Sequence, residues 1–300
     1  MSGETDVVSG AAGVAGETDV AAARSDDGRF AGAGGLELFW WRRLPEGEPR
    51  AVLALVHGVG EHSGRYPNLV TPLVAAGYAV YGYDQRGHGH SPGPRVHIER
   101  WADYRDDLHA FLSLVAAHEP GRPLVLYGHS MGSLVVLDEL IAHPGGIAGA
   151  IVSGVALQPA GVGKPYQRVL ARVLSRVAPR LQVDLKIAPD DLTRDPAAIA
   201  AGRSDPHLTS RATVRWGAES LAAVTRIEHG MAAIEVPLLV LHGGADPLNR
   251  PAGAQALIDA VRSPDTTLHV YPGVRHEPHN DLGHERVAAD VADWLAHLTA

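Results

Sequence analysis

The pentapeptide Gly128–Gly132 has the sequence Gly-His-Ser-Met-Gly, which places a serine between two glycines at the spacing of a nucleophile elbow. The spacing alone is a weak signal, so its context is needed. A short apolar run, Leu124–Tyr127, precedes the motif, and a helical pattern follows from near Gly132. Such a strand–turn–helix lifts the serine hydroxyl clear of the sheet, and the helix N-terminus favours negative charge beside it. The pattern predicts Ser130 as the nucleophile of an acyl-transfer reaction rather than as a plain helix cap.

A serine nucleophile needs a base, and the base needs a carboxylate to orient it. When the elbow opens such a site, the chain order is serine, acid, histidine, and the last two follow late strands. Asp246 comes shortly after the apolar run Leu238–Leu241, and His276 comes after the next run, Thr267–Tyr271. The sequence therefore predicts that His276 is the base and that Asp246 orients it. The rival residues, which are less well placed after the strands, are Asp265, Asp281 and His279.

Two backbone N–H groups should stabilise the oxyanion that forms in this reaction. One should belong to Met131, the residue directly after the nucleophile. The other should come from the loop after the strand predicted at Ala51–His57, where we choose Val59. Side-chain identity matters little at these two positions, because the peptide group makes the contact.

The elements that would position these residues alternate along the chain, beginning with a first strand or hairpin arm at Leu36–Leu44. Short apolar runs predict buried parallel strands at Ala51–His57, Tyr78–Tyr83, Leu124–Tyr127, Ile147–Val152, Leu238–Leu241 and Thr267–Tyr271. A helical period predicts helices at Tyr66–Ala76, Trp101–Ala117, Leu134–His143, Ala252–Val261 and Glu285–Leu298. Together with the elbow, this alternation predicts the α/β-hydrolase fold, with a mostly parallel, doubly wound sheet.

The alternation is interrupted once, at about residues 155–234, where mostly helical patterns and no convincing strand predict an inserted helical cap. Within it, apolar residues recur at helical spacing from Tyr166 to Val177, with arginines on the other side. One interpretation is a helix packed on the core with a solvated basic face. The other is a lid whose apolar face meets lipid, since a basic amphipathic helix suits a membrane surface.

Composition limits the remaining possibilities. The chain has 300 residues and no cysteine, which excludes disulfides, thiolate metal sites and a cysteine nucleophile. Residues 1–27 are rich in glycine, alanine and acidic residues and predict a disordered N-terminal tail, which leaves residues 28–300 as the hydrolase domain. This tail carries most of the net charge of −8, and the near-neutral remainder argues against nucleic acid as a partner. Neither a secretory signal nor a bilayer-spanning stretch is evident, which favours a cytoplasmic location.

Three segments resemble those of monoacylglycerol lipases and their relatives. The segment His57–Tyr66, HGVGEHSGRY, looks like that family's HGxGEHxxRY segment. The segment Asp84–Ser91, DQRGHGHS, resembles its DxRGHGxS loop, and GHSMG is its usual elbow. The similarity extends over about residues 36–297. One departure is Ser133, where the family often has glycine, and this position is already inside the predicted helix.

The resemblance implies an inserted cap and short acylglycerol esters as substrates. It also implies that the glycerol end of the substrate is held by Glu61, Arg65 and His279. The alternative for these three residues is a structural salt bridge and a surface histidine. The nearby His88 and His90 lack a third ligand in the sequence, and the resemblance needs neither a metal nor a cofactor, so none is predicted.

The sequence thus predicts a serine ester hydrolase that cleaves monoacylglycerol-like or lysophospholipid-like carboxylic esters through an acyl-enzyme. Its partner would be a small-molecule ester, with contact to a membrane or lipid interface through the cap. The alternatives left open are a peptidase or thioesterase with the same triad, and a non-catalytic ligand-binding protein that kept the fold.

Overall fold

Strands and helices alternate along most of the chain. The computed structural model describes residues 24–161 and 165–300, apart from the side chains of residues 165, 167 and 168. Within these residues the strands are β1 (Arg24–Ala31), β2 (Glu37–Leu44), β3 (Val52–Val56), β4 (Ala79–Tyr83), β5 (Leu124–His129), β6 (Gly149–Ser153), β7 (Gln182–Asp184), β8 (Arg211–Thr213), β9 (Leu238–Gly243) and β10 (Thr266–Tyr271). The α-helices are α1 (Pro67–Ala75), α2 (Ala102–His118), α3 (Met131–Ala142), α4 (Pro165–Val177), α5 (Pro189–Leu192), α6 (Pro196–Ser204), α7 (Val214–Gly230), α8 (Pro251–Ala260) and α9 (His284–Leu298).

One large sheet has the strand order β1-β2-β4-β3-β5-β6-β9-β10. Strands β1 and β2 pair antiparallel at one edge, and every pairing from β4 across to β10 is parallel. The five strands β3, β4, β5, β6 and β9 are buried along their whole length, because helices cover both faces of the sheet. Side chains of α2 and α3 pack on one face, and those of α1 and α9 pack on the other. The predicted mostly parallel, doubly wound sheet is confirmed.

The first strand begins earlier than the sequence indicated. Arg24 pairs with Leu44 in an antiparallel register that continues to Ala31, so the predicted tail of residues 1–27 extends too far. The rest of that tail, residues 1–23, lies outside the described residues. Apolar patterning could not locate this strand, since backbone pairing and an ion pair between Asp26 and Arg42 at 3.1 Å hold its first half.

Between β6 and β9 the chain leaves the sheet for the segment predicted as a cap. This segment contains helices α4 to α7, and it also contains an antiparallel pair of strands, β7 and β8, where we expected none. Each of these strands has only three residues, too few for a period of two to be visible in the sequence. Thr209 of the cap donates its N–H to the carbonyl oxygen of Gly60 at 2.9 Å. The cap therefore lies over the loop that follows β3.

Candidate active site

The turn between β5 and α3 holds Ser130 in a strained conformation. Its backbone angles are φ 52° and ψ −116°, a region that non-glycine residues rarely adopt. Its N–H donates to the carbonyl oxygen of Ser153 at 2.9 Å, which anchors the turn to β6. Strain of this kind persists where the surrounding structure enforces it, and it is characteristic of nucleophile elbows.

The two glycines of the motif permit this turn through close backbone approach. A Cβ on Gly132 would lie 2.1 Å from the carbonyl oxygen of Val56, and a Cβ on Gly128 would lie 2.5 Å from the carbonyl oxygen of Gly132. Neither contact could be relieved without moving backbone. The spacing of the sequence motif thus follows from how tightly α3 packs on β3 and β5.

The structure brings together the three side chains predicted as a triad. Ser130 Oγ lies 2.9 Å from His276 Nε2, and His276 Nδ1 lies 2.8 Å from Asp246 Oδ2. His276 follows β10 and Asp246 follows β9, both at the carboxyl edge of the sheet where β5 also ends. These contacts fit an imidazole that keeps its proton on Nδ1 and accepts the serine proton at Nε2.

The carboxylate of Asp246 is buried and fully supplied with donors. Its Oδ1 accepts the backbone N–H groups of Leu248 and Asn249 at 2.8 and 3.0 Å, and its Oδ2 also lies 3.3 Å from His242 Nε2. Burial by itself would raise the pKa of Asp246, but the hydrogen bonds from His242 and His276 outweigh burial and hold this pKa well below its usual value. The acid is therefore a fixed anion beside the imidazole.

This anion determines the protonation of His276. Burial lowers the pKa of the imidazole, whereas the hydrogen bond to Asp246 and its negative charge raise it, and the net pKa is raised above 6.5. A base with a raised pKa accepts the proton of a serine hydroxyl more readily. The rival acids do not have this placement: Asp265 precedes β10, and Asp281 accepts from Arg194 and from the backbone N–H of Arg275.

Two backbone N–H groups near Ser130 are candidates for an oxyanion site. Glu61 Oε1 accepts the N–H of Gly58 at 2.5 Å, so the first N–H of this loop that remains available beside Ser130 is that of Val59. Met131 is the first residue of α3, where backbone N–H groups have no partner within the helix. Among the described residues neither N–H has a hydrogen-bond acceptor, and both residues line the same cavity as Ser130. Val59 and Met131 thus stay the predicted oxyanion donors, and both line the cavity beside Ser130.

Two of the three residues predicted to hold the glycerol end of the substrate, Glu61 and Arg65, belong to one polar network. Arg65 contacts Glu61 Oε2 at 2.9 Å and the carboxylate of Glu277 at 2.7 and 3.0 Å. Burial by itself would raise the pKa of Glu277, but the charge of Arg65 outweighs burial and lowers this pKa to about 2. Tyr66 donates its hydroxyl to Glu61 at 2.7 Å. Glu61 and Arg65 line the cavity and also form a salt bridge, so both sequence-based interpretations describe part of their environment.

His279 lies elsewhere than predicted. Its ring stacks on Tyr66 with centroids 4.4 Å apart, it is only 1% exposed, and it is not among the residues that line the cavity. Both ring nitrogens lack a hydrogen-bond partner among the described residues. Burial lowers the pKa of His279 to about 4, so the ring is neutral. The residue is neither at the cavity wall nor on the surface, because the turn Pro278–Asn280 directs it inward.

A cavity of about 770 Å³ extends from Ser130 into the space beneath the cap. Its walls are mainly apolar, and the polar network of Glu61 and Arg65 lies near the triad. The apolar walls are formed by residues of α3, α4 and α7, among them Leu134, Leu170, Leu174, Trp216, Leu221 and Val224. A cavity with this lining fits an extended hydrocarbon group whose reacting end is polar.

Comparison with known proteins identifies the family of this chain. The profile of the family described as "Serine aminopeptidase, S33" matches residues 47–283. A monoacylglycerol lipase of Mycolicibacterium smegmatis is 35% identical over 271 residues, which cover 90% of this chain and 96% of that protein. The monoglyceride lipase of Homo sapiens is 32% identical over 275 residues and covers 89% of each chain. The chain belongs to the monoacylglycerol lipase-like family of α/β-hydrolases.

The solved structures agree with this membership. The crystal structure of Paleococcus ferrophilus monoacylglycerol lipase matches with a TM-score of 0.78 at 30% identity, and the match covers 88% of this chain and 100% of that one. The resemblance drawn from the three sequence segments is therefore confirmed, and so is the prediction that this chain is a hydrolase. The matched range 47–283 contains the elbow, the acid, the base and the cap.

Several residues of this lipase-like site escaped sequence reasoning. His242 lies beside Asp246 and is fully buried, and Asn249 donates to the carbonyl oxygen of Gly154 at 2.9 Å, which fixes the loop of the acid. Glu277 pairs with Arg65 across 212 positions of sequence. The only available signal was proximity, since His242 and Asn249 flank Asp246 and Glu277 follows His276 directly. Proximity in sequence does not indicate which way a side chain points.

Proposed function

We propose that this chain hydrolyses monoacylglycerol-like carboxylic esters with Ser130 as nucleophile, His276 as base and Asp246 as the acid that orients it. One observation carries the proposal: the hydrogen-bonded series of serine, histidine and aspartate opens into a large apolar cavity. The names of the relatives support the same substrate class.

In the first half of the proposed reaction, Ser130 Oγ attacks the ester carbonyl while its proton passes to His276 Nε2. The carbonyl oxygen becomes an oxyanion and accepts hydrogen bonds from the N–H groups of Val59 and Met131. Collapse of this intermediate breaks the ester C–O bond. His276 returns the proton to the departing alcohol oxygen, and the acyl group remains on Ser130.

In the second half, water replaces the alcohol. His276 takes a proton from this water, whose oxygen attacks the acyl carbon and forms a second oxyanion in the same site. Collapse releases the fatty acid, and the proton on His276 returns to Ser130 Oγ. Asp246 stays ionised throughout, because its buried carboxylate is held by four donors. No step requires a cofactor or a metal.

The two ends of the cavity suggest how the substrate lies. The acyl chain would occupy the apolar part beneath the cap, and the alcohol would face the polar network at Glu61 and Arg65. Glycerol hydroxyls can both donate to carboxylates and accept from a guanidinium. A lysophospholipid would instead bring a phosphate towards Glu61 and Glu277, whose two negative charges exceed the single positive charge of Arg65. This balance favours a neutral glycerol ester.

A substrate panel tests this assignment. We expect kcat/KM for medium- and long-chain monoacylglycerols to exceed that for lysophospholipids of equal acyl length by about tenfold or more, because like charges at close range cost a few kcal/mol. The measurement is release of fatty acid below the micellar concentration, with Ser130→Ala as the blank. Equal or faster turnover of lysophospholipids would contradict the assignment of the alcohol site.

Two observations favour a second candidate, an aminopeptidase. The matching family profile is described as a serine aminopeptidase, and the excess of carboxylate at Glu61 and Glu277 would suit a positively charged α-amino group. Aminoacyl anilides in the same panel distinguish the two activities, and acyl thioesters test the thioesterase alternative. A fluorophosphonate probe separates all of these from a binding protein, since it labels only an activated serine.

We also propose that α4 contacts a lipid surface while the catalytic domain stays in water, as a cytoplasmic enzyme would. No helix among the described residues is long and apolar enough to cross a membrane. On α4, Val169 and Val173 are 60% and 51% exposed, whereas Leu174 faces the cavity. Exposed Arg172 and Arg176 on the same helix would attract anionic headgroups. This distribution favours the lid hypothesis over a helix packed entirely on the core.

The variant Val173→Asp tests lipid contact separately from chemistry. Burial of a valine side chain contributes roughly 1.5–3 kcal/mol to binding, and the substitution removes this contribution. We therefore expect the affinity of the variant for vesicles to fall by about tenfold or more. The measurement is co-sedimentation with vesicles of phosphatidylcholine and phosphatidylglycerol. Turnover of a soluble acetate ester should stay near that of the wild type, because Val173 does not line the cavity.

The matched control is Val270→Asp, on β10. Val270 is also exposed, at 44%, but it lies on the sheet rather than on the cap. We expect it to retain vesicle binding. Equal losses in both variants would show that any added charge weakens binding, and an unchanged Val173→Asp would contradict the role of α4.

A further inference from the structure

A set of metal-binding side chains lies where α2 and α3 pack together. Among the residues that the structure describes, the ligand atoms of His109, Glu139 and His143 lie within 4.8 Å of one another. His109 Nδ1 is 2.9 Å from Glu139 Oε1, and His143 Nδ1 is 3.0 Å from Glu139 Oε2. The two imidazole rings are 4.4 Å apart. Two ring nitrogens and a carboxylate thus converge on one point.

Two packed helices and the C-cap of one of them hold this set in place. Glu139 lies in the last turn of α3, and His143 caps the C-terminus of this helix four residues later. The N–H of His143 donates to the carbonyl oxygen of Glu139 at 2.7 Å, which fixes the last turn. His109 projects from α2, which packs directly against α3. The three side chains are therefore preorganised by two packed helices.

The carboxylate in this set lacks a permanent cation. The side chain of Glu139 is only 2% exposed, and within the described part of the chain its hydrogen-bond partners are the two imidazoles. The nearby Arg105 and Arg226 pair with Asp138 instead, at 3.7 and 2.9 Å. A buried carboxylate is costly without a positive partner, and a neutral imidazole supplies a hydrogen bond but no charge. A divalent cation would supply that charge.

We propose that His109, Glu139 and His143 bind a divalent transition-metal ion of the Zn²⁺ class. Two imidazoles and one carboxylate are a ligand set that Zn²⁺ accepts, and they leave a fourth position for water. The imidazole side chains are 55% and 43% exposed, which gives an ion access from solvent. The sequence predicted no metal site because His109 lies on a different helix, 30 positions before Glu139.

The ion would act on stability rather than on ester cleavage. The helix α3 has 12 residues, so its last turn is roughly 18 Å from Ser130, which immediately precedes the first turn. Binding there joins the middle of α2 to the C-terminal end of α3, and a ligand that binds only the folded state raises the melting temperature by mass action.

Titration of the full-length, untagged protein with Zn²⁺ after removal of metal by a chelator tests the site. We expect one equivalent to bind in isothermal titration calorimetry and the melting temperature to rise by about 5 °C when free Zn²⁺ is about a hundred times its Kd. The variants His109→Ala and His143→Ala should each weaken binding by about tenfold or more. Both positions are partly exposed, and circular dichroism verifies that the variants fold.

A second cluster of imidazoles provides the control. The ring centroids of His62, His90 and His207 lie 4.4–6.4 Å apart, with His207 contributed by the cap, and His207→Ala removes one of the three rings. This variant should bind Zn²⁺ as the wild type does. Loss of binding in His207→Ala, unchanged binding in His109→Ala and His143→Ala, or the absence of a one-to-one binding step would each overturn the proposal.

Discussion

The variant Ser130→Ala should lose ester turnover by a factor on the order of 10⁶ in kcat, the typical cost of removing a triad nucleophile. The reason is geometric, since Ser130 Oγ is the hydroxyl that lies 2.9 Å from His276 Nε2, and both residues line the apolar cavity. The measurement is fatty-acid release from a monoacylglycerol together with labelling by a fluorophosphonate. Both signals should disappear while the circular dichroism spectrum stays unchanged.

The matched control is Ser133→Ala, one turn further along α3. The hydroxyl of Ser133 is also buried, but it donates to the carbonyl oxygen of Ser130 at 2.6 Å and does not contact His276. We expect this variant to keep kcat within about tenfold of the wild type. It removes two supporting hydrogen bonds, to the Ser130 carbonyl oxygen and from the Ala156 N–H, worth about 1 kcal/mol each, and no group that contacts His276. If Ser130→Ala retained turnover comparable to that of Ser133→Ala, Ser130 would not be the nucleophile.

The elbow could be predicted from the sequence because its determinants are local. Glycine is required at positions 128 and 132 because a Cβ at either position would collide with neighbouring backbone. The strand before the motif and the helix after it are visible as sequence patterns. The positions of Asp246 and His276 follow from a topological rule, since the carboxyl ends of parallel strands lie at one edge of a sheet. The sequence is therefore sufficient to propose all three residues, whose side chains lie within hydrogen-bonding distance in the fold.

The surroundings of the triad depend on long-range contacts that no local pattern encodes. Arg65 could have faced the cavity alone, but in the fold it pairs with Glu277, 212 positions away. His279 is three residues from His276, yet a short turn directs it onto Tyr66 instead of towards the cavity. The packing of the cap likewise determines which face of α4 is exposed to solvent. The 3.6-residue period of the sequence could not identify that face.

The role of Asp246 can be tested by comparing Asp246→Asn with a control variant at another buried acid, Asp281. Asp281 accepts from the backbone N–H of Arg275 at 2.6 Å and from Arg194 at 3.1 Å. We expect Asp281→Asn to lower the melting temperature, since it removes an ion pair, and to leave the pH dependence of kcat/KM unchanged. The Asp281→Asn variant therefore measures the loss of stability caused by neutralising a buried carboxylate near the site. It leaves the charge of Asp246, which contacts His276, unchanged.

The variant Asp246→Asn should lower kcat about 10⁴-fold while the protein stays folded, because asparagine favours the wrong tautomer of the imidazole. It should also move the acid limb of kcat/KM. Activity requires neutral His276, and Asp246 raises the pKa of His276, so the wild-type activity should fall as pH decreases through a value above 6.5. Without that charge, burial dominates and lowers the pKa of His276, so the limb should move to lower pH. The measurement is the pH dependence of kcat/KM for a neutral ester from pH 4 to 9 in both variants. Asp246 would be excluded as the partner of the base if the acid limb stayed in place in Asp246→Asn, or if it moved equally in Asp281→Asn.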